Sequence, residues 1–212
     1  GCSGLTSIVI PNSVTHIGQD AFCRCSNLAS VQISESLTTI ETGVFSRTGL
    51  VNVTIPEGVI SIGTYAFDNC PALVNVELPS TLAYIDQYAF ENDTHLTSIE
   101  IPNSVTNIGN YAFRDCTGLT SVVIGDGVTS IGGAVFYGCT GLTSVTIGNS
   151  VTSIGHYAFS GCTGLTNFII PNGVTSIGIF TFAYCSSLSS IALPNSVTSI
   201  GFHAFLGCYN LT

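Results

Sequence analysis

The apolar residues of this chain recur in fixed columns with a period of 23 residues. A phenylalanine marks each period, and only the interval between Phe45 and Phe67 is shortened to 22 residues. Ahead of each phenylalanine the pattern L-x-x-V-x-I is followed by a second apolar pair, V-x-x-I, and most intervening positions are polar or small. Nine such repeats account for essentially the whole chain. The phenylalanine column consists of Phe22, Phe45, Phe67, Phe90, Phe113, Phe136, Phe159, Phe182 and Phe205.

Each repeat predicts two short extended segments joined by turns. In L-x-x-V-x-I the apolar positions alternate and β-branched residues dominate, which indicates a short strand. Pro or Gly then ends the strand, as at Pro56 and Gly125, and Asn-Ser or Asn-Gly predicts a turn. V-T-x-I predicts a second extended segment, and the Gly that usually follows it, for example Gly63, predicts a turn with positive φ. The segment x-x-A-F-x-x-C predicts about one helical turn.

One repeat of this kind cannot bury its own apolar face, but stacked repeats can. At a strand spacing of about 4.8 Å, nine coils form a rod or arc about 40 Å long. We therefore expect one solenoid domain over residues 1–212, in which each apolar column becomes a ladder through the core. Because the chain starts and stops within a repeat, we expect it to be a segment of a longer array.

The unit L-x-x-V-x-I-P-x-x-V-x-x-I-G-x-x-A-F-x-x-C closely resembles the BspA-like leucine-rich repeat, also described as the Treponema-pallidum-type repeat. The resemblance covers all nine repeats. Local departures, such as Thr48 and Asp93 at the cysteine position and the residue missing after Phe45, leave the expected fold unchanged.

The resemblance implies a right-handed leucine-rich-repeat solenoid, α/β with mainly β structure, whose LTSVTI strands form a continuous parallel sheet on the concave side. It also implies a cell-surface or secreted protein that is not an enzyme and needs no cofactor. Proteins of this kind are typically adhesins of bacteria or protists, and their partners are extracellular-matrix or cell-surface proteins.

The composition excludes several classes of partner. The chain has 3 cationic residues and a net charge of −9, so it cannot neutralise a row of phosphates and we expect no nucleic-acid binding. The same charge argues against anionic membrane surfaces. No apolar run approaches the roughly 20 residues of a membrane span, so we expect no membrane insertion.

Cysteine fills one column, three residues after the phenylalanine. Neighbouring members lie about 5 Å apart on such a ladder, within disulfide reach in distance alone, but parallel side chains seldom offer the required dihedral angle. The ladder also diverges along the rod, whereas metal ligands converge. We interpret the column as buried thiols that act as small apolar fillers. Its members are Cys25, Cys70, Cys116, Cys139, Cys162, Cys185 and Cys208.

No set of residues in the sequence has the pattern of a catalytic site. The four histidines occupy four different repeat positions, and no polar residues depart from the repeat as a convergent set. No arrangement of nucleophile, base and orienting group can therefore be argued. We expect no catalytic residues and no metal site.

Two outward-facing columns are candidate binding surfaces. The first is the strand position between the two inward residues, which varies while its neighbours do not; in a solenoid of this kind it lies on the concave side. The second lies two residues before the phenylalanine and forms a broken aromatic stripe, which is either packing over the turn or an exposed ridge. The first column includes Gln32, Thr54, Glu77, Glu100, Val123 and Thr146. The stripe includes Tyr65, Tyr88, Tyr111 and Tyr157.

Charge divides the chain unequally, since all 12 acidic residues lie between Asp20 and Asp126. Recent duplication of a consensus coil in the C-terminal half explains this most simply. The alternative is that a polar, acidic patch around Glu77, Asp86, Glu91 and Glu100 is a binding region.

Three functions remain open at this stage. The first is a protein-binding, adhesin-type module that uses the concave sheet. The second is a structural spacer that self-associates end to end, because both ends expose core ladders. The third is recognition of ice or another flat surface by a threonine column that runs from Thr15 to Thr198 and is interrupted by Ile60 and Ala83, although β-propensity alone explains threonine there.

Overall fold

The predicted leucine-rich-repeat solenoid is confirmed by the structure, a computed structural model that describes residues 1–212. Each repeat forms one coil, and its L-x-x-V-x-I segment forms a strand of what we term the first sheet. These strands are β1 (Ser7–Val9), β2 (Ser30–Gln32), β4 (Asn52–Thr54), β6 (Asn75–Glu77), β8 (Ser98–Ile101), β10 (Ser121–Ile124), β12 (Ser144–Ile147), β14 (Asn167–Ile169) and β16 (Ser190–Ala192).

The V-x-x-I segment of each coil after the first forms a two-residue strand of a second sheet. These strands are β3 (Thr39–Ile40), β5 (Ser61–Ile62), β7 (Tyr84–Ile85), β9 (Asn107–Ile108), β11 (Ser130–Ile131), β13 (Ser153–Ile154), β15 (Ser176–Ile177) and β17 (Ser199–Ile200).

Both sheets are parallel and in register, so that equivalent residues of successive repeats lie side by side. Val122, for example, pairs with Ile99 on one side and Val145 on the other. Strands of the first sheet pair in four groups, β1–β2, β4–β6, β8–β10–β12 and β14–β16, whereas the second sheet pairs in two groups of four. The expected continuous first sheet is therefore a row of adjacent strands with three interruptions in its regular pairing.

The segment around each phenylalanine forms a third side of the coil, built from overlapping turns. In the third coil the N–H groups of Ala66 and Asp68 donate to carbonyls three residues earlier in the same coil, at 3.1 and 3.2 Å. The alternate N–H groups, of Tyr65, Phe67 and Asn69, donate instead to carbonyls of the next coil at 2.7–3.2 Å. The predicted helical turn is thus opened into a chain of turns, because half of its N–H groups bond to the neighbouring coil.

This alternation requires two residues per coil in the left-handed backbone region. The residues two before and two after each phenylalanine have positive φ in all nine coils, as at Tyr65 (57°) and Asn69 (58°). Glycine occupies only a minority of these eighteen positions. For a bulky residue such as tyrosine this conformation costs about 1–2 kcal/mol, so the bonds to the adjacent coil must offset it.

The predicted role of Gly63 was wrong. Neither it nor its equivalents after the second strand have positive φ. A Cβ atom at Gly63 would lie 2.9 Å from backbone atoms of Glu41 and Thr42, and one at Gly109 would lie 2.4 Å from the backbone nitrogen of Gln87. At most of these glycines the main chains of successive coils approach too closely for a side chain, whereas Glu41 and Asp86 take the place of glycine in the second and fourth coils.

The apolar columns form one core of 54 buried residues. At its centre the phenylalanine rings stack along the solenoid with centroid separations of 5.2–5.6 Å. The seven rings from Phe45 to Phe182 are fully buried, whereas Phe22 and Phe205 at the two ends are half-buried. The ladder therefore joins every coil to both of its neighbours.

Truncation of one inner ring should destabilise the whole solenoid. We expect Phe113→Ala to lower the free energy of unfolding by about 3–5 kcal/mol, because it leaves a cavity between two stacked rings. Phe205→Ala is the matched control, since it removes the same atoms from a half-buried ring with one stacked neighbour. Denaturant unfolding followed by circular dichroism measures both, and equal losses in the two variants would contradict the ladder's central role.

Candidate functional site

The outward column of the first sheet is exposed along its whole length. Gln32, Thr54, Glu77, Glu100, Val123 and Thr146 all present their side chains to solvent. Apolar members at the two ends are exposed as well, including Val9 (65%) and Ile169 (80%). The in-register pairing places Thr54 beside Glu77, and Glu100 beside Val123. This face offers a row of changing side chains on a regular backbone.

Four carboxylates make the middle of this face acidic. Glu77 and Glu100 lie on strands β6 and β8, and Glu35 and Glu57 lie in the turns that follow β2 and β4. They border two adjoining shallow depressions of about 450 and 640 Å³. Sequence reasoning identified the two strand residues but missed Glu35 and Glu57. Their position directly after a strand of the first sheet was the signal that could have found them.

Three of these four carboxylates accept hydrogen bonds from hydroxyl or amide groups, and none has a cationic partner. The Thr54 hydroxyl donates to Glu77 Oε2 at 2.9 Å, and the Ser80 hydroxyl donates to Glu57 Oε2 at 3.0 Å. None of the four carboxylates takes part in an ion pair. The side chains of Glu35, Glu57 and Glu77 thus accept hydrogen bonds, whereas that of Glu100 accepts none, and no cation neutralises the charge of this face.

All three arginines lie on the side of the phenylalanine turns. Arg47 pairs with Asp68 at 4.0 Å, and Arg114 pairs with Glu91 at 3.2 Å and with Asp115 at 3.0 Å. Burial raises the pKa of the Asp68 and Glu91 carboxyls despite these arginines. Positive charge is thus confined to the turn side, away from the first sheet.

The tyrosine stripe lies on the turn side as well, and its residues are the positive-φ residues that precede each phenylalanine. Tyr65, Tyr88 and Tyr111 stack with centroid separations of 4.8 and 4.9 Å, and Tyr157 stacks on Phe180 at 5.1 Å. The rings are partly exposed at their edges, as with Tyr157 at 41%. The stripe is therefore both packing over the turns and an exposed ridge, which combines the two alternatives drawn from the sequence.

The cysteine column lies in the core and has a polar role that the sequence did not reveal. Each inner thiol donates to the carbonyl of the phenylalanine in the preceding coil, as Cys139 does to Phe113 at 3.2 Å. All nine cysteines are free thiols. Burial raises the pKa of Cys116 and Cys139 well above the ordinary thiol value, so these thiols are unreactive.

Asp93 takes the place of cysteine in the fourth coil and is fully buried. Its Oδ1 accepts a hydrogen bond from the Cys70 N–H at 2.8 Å, whereas its Oδ2 has no partner. Burial raises the pKa of this carboxyl well above its ordinary value. Burial therefore favours the neutral form of this side chain, at a position where other coils have a thiol.

The threonine column proposed for ice or flat-surface recognition is exposed, but the hydroxyls of four of its seven threonines are hydrogen-bonded. Thr152, Thr175 and Thr198 donate to backbone carbonyls of the preceding coil at 3.1–3.2 Å. These bonds between coils account for threonine at this position in addition to its β-propensity.

The histidines lie apart in the structure. His16 is 4.0 Å from Glu41, and His156 accepts a hydrogen bond from the Ile179 N–H at 2.7 Å. No group of three or more His, Cys, Asp or Glu side chains is arranged to hold a metal ion. The structure contains no helix with the length and apolar character of a membrane span.

Comparison with known proteins extends over the whole chain. The family model described as BspA type leucine rich repeat region (6 copies) matches residues 1–120 and 106–212. No curated protein sequence matches the chain.

Two crystal structures illustrate the similarity in fold. A leucine-rich repeat protein from Eubacterium ventriosum ATCC 27560 aligns with a TM-score of 0.77 and 26% identity over 95% of this chain and 58% of that chain. The leucine-rich repeat protein of T. pallidum aligns with a TM-score of 0.64 and 28% identity over 98% of this chain and 78% of that chain. The present chain thus spans less than two-thirds of the first relative.

The buried carboxyl of Asp93 should make stability depend on pH. The pKa of an aspartate in the unfolded chain is about 3.9, whereas in the folded protein burial raises the pKa of Asp93. Ionisation therefore favours the unfolded state, and Asp93 destabilises the fold increasingly as the pH rises above about 4. We expect Asp93→Cys, which restores the column residue, to be more stable than the parent by about 1–3 kcal/mol at neutral pH.

The pH profile of the difference tests this assignment. The stabilisation by Asp93→Cys should shrink as the pH falls towards about 4, because the parent no longer loses a proton on unfolding. Asp93→Asn is the control, since it keeps the acceptor for the Cys70 N–H but does not titrate. Denaturant unfolding across this pH range measures all three proteins, and parallel profiles would contradict a buried neutral carboxyl.

Proposed function

Because the chain belongs to the BspA type leucine-rich repeat family, we propose that it is a non-enzymatic protein-binding module of a cell-surface or secreted protein. Its partner is a protein of the extracellular matrix or of another cell surface, bound through the outward face of the first sheet. Leucine-rich repeat solenoids present extended surfaces of this kind to partner proteins. The surface location and the adhesive role rest on the resemblance between the repeats and those of known adhesins.

The observation that carries this proposal is the unneutralised acidic groove at the middle of the sheet. Glu35, Glu57, Glu77 and Glu100 border adjoining depressions and have no cationic neighbour. Complementary potentials accelerate association and select among partners. The groove therefore favours a basic segment of the partner protein over a neutral or acidic one.

The variable outward column supplies specificity beyond charge. It changes from amide and hydroxyl groups at Gln32 and Thr54, through the carboxylates, to the apolar Val123 and Ile169. A partner that follows the sheet for several coils would contact polar, acidic and apolar segments in turn. The constant inward residues keep this display in register.

Charge reversal on this face tests the proposal. We expect the double variant Glu77→Lys/Glu100→Lys to bind at least about tenfold more weakly to those purified extracellular-matrix proteins that capture the parent, because like charges then face each other. Binding of the parent should also weaken as the salt concentration rises. Surface plasmon resonance against a panel of such proteins gives both readouts.

Glu41→Lys/Asp86→Lys is the matched control, since it makes the same change in charge at half-buried acids that follow the second sheet. This control should bind like the parent. If both double variants bind as tightly as the parent, the first sheet is not the binding face. If the chain binds nothing in the panel and sedimentation shows concentration-dependent assembly, a self-associating spacer is the better description.

A further inference from the structure

The aromatic stripe is interrupted at one coil. Three tyrosines stack up to Tyr111, and a second stack begins with Tyr157 and continues to Phe180. Between them the same position is occupied by Ala134. Its backbone conformation matches that of its neighbours, with φ of 53° against 62° at Tyr111 and 58° at Tyr157. The coil is therefore regular and lacks only the ring.

The interruption leaves a slot with two aromatic walls. The rings of Tyr111 and Tyr157 belong to coils two steps apart, so their planes are separated by two coil spacings, about 10 Å. A planar ring placed midway would lie about 5 Å from each wall, which is the separation that aromatic pairs adopt. Elsewhere in the stripe the stacked rings lie 4.8–5.1 Å apart. The slot thus has the width of one stacked ring.

The remaining boundaries of the slot are defined by three residues. Ala134 forms the floor and is 4% exposed. Arg114 and Tyr137 form one side, and the guanidinium carbon lies 5.8 Å from the Tyr111 ring centroid and 5.7 Å from that of Tyr137. Together with the walls they enclose an open depression of about 290 Å³. The flanking coils carry a tyrosine ring at this position, and Ala134 supplies none.

Charge around the slot distinguishes between aromatic ligands. Arg114 is bound by the carboxylates of Glu91 and Asp115, so the local charge is negative overall. The phosphates of a nucleotide would be repelled by these carboxylates and by the net charge of −9 of the whole chain. The guanidinium is already paired with two carboxylates, so it offers no uncompensated positive charge to an anionic ligand. The surroundings favour a neutral or cationic aromatic group.

We propose that the slot between Tyr111 and Tyr157 receives an exposed aromatic side chain of a partner protein. The incoming ring stacks on both walls and completes the stripe, with Arg114 and Tyr137 at its edge. This site lies on the turn side of the solenoid and does not depend on binding at the first sheet. It makes the fifth, sixth and seventh coils a second recognition surface.

The absence of tryptophan from the chain allows a direct assay. The probe is the capped peptide acetyl-Gly-Gly-Trp-Gly-Gly-amide, whose fluorescence can be excited selectively. Titration of the protein should shift its emission to the blue and approach saturation. Ala134→Tyr fills the slot with the residue found at this position in other coils, and should weaken binding about tenfold or more through loss of both stacking faces. Tyr157→Ala, which removes one wall, should have a smaller effect.

Ala134→Gly is the matched control, because glycine accepts positive φ and leaves the slot open. It should bind the probe like the parent, and circular dichroism should show all variants folded. Unchanged binding by Ala134→Tyr would overturn the proposal. So would equal competition by peptides that carry leucine and phenylalanine in place of tryptophan, since stacking requires the phenylalanine peptide to compete better.

Other occupants give distinguishable outcomes. Displacement of the probe by a neutral oligosaccharide at comparable concentration would assign the slot to glycans and overturn the proposal. Sedimentation that shows a dimer of the parent but a monomer of Ala134→Tyr, without probe binding, would assign it to a second copy of the chain. A probe with glutamates flanking tryptophan should bind more weakly than the neutral one, and tighter binding would contradict the assigned charge preference.

Discussion

Main-chain hydrogen bonds between successive coils act on three sides of this molecule and set one spacing for all of it. Two sides are parallel strands, and the third is a row of turns in which alternate N–H groups reach the next coil. Side chains follow the same spacing: phenylalanine rings stack, thiols reach the preceding coil's carbonyls and threonine hydroxyls bridge adjacent backbones. Tyrosines such as Tyr65 keep a backbone conformation with positive φ because hydrogen bonds to the neighbouring coil stabilise it. A coil taken alone would lose the bonds that offset their strain.

The two proposed binding features lie on different sides of this lattice. The first sheet displays uncompensated carboxylates, whereas the three arginines lie on the turn side, where Arg47 and Arg114 are paired with carboxylates. The outward column of the first sheet changes from coil to coil, with Glu77 and Glu100 near its middle, and the aromatic stripe of the turn side lacks its ring at Ala134. We propose that recognition depends on these variable positions, because the constant positions are used for packing.

The 23-residue period and the apolar columns were sufficient to predict a stacked solenoid. A single repeat cannot bury its apolar residues, whereas stacking in register places the residues of each column next to one another in the core. Contacts between coils were not predictable in the same way. Gly63 was assigned a positive φ that belongs instead to Tyr65, because sequence spacing does not show where two main chains approach. The gap at Ala134 was visible as a missing aromatic residue, but its meaning depends on the separation of Tyr111 and Tyr157, which only the coil spacing supplies.

Because the coils are equivalent, the number of repeats can change during evolution. Each coil presents the same row of donors and acceptors to the next, so a complete coil can be gained or lost by recombination without disturbing the bonds of the others. Glu100 at the end of the acidic groove and Tyr111 at the start of the aromatic slot lie in the same coil, so a repeat inserted between these two residues would separate the groove from the slot by about 5 Å. The number of repeats inserted at this point would set the distance between the two proposed binding features, which would themselves stay unchanged.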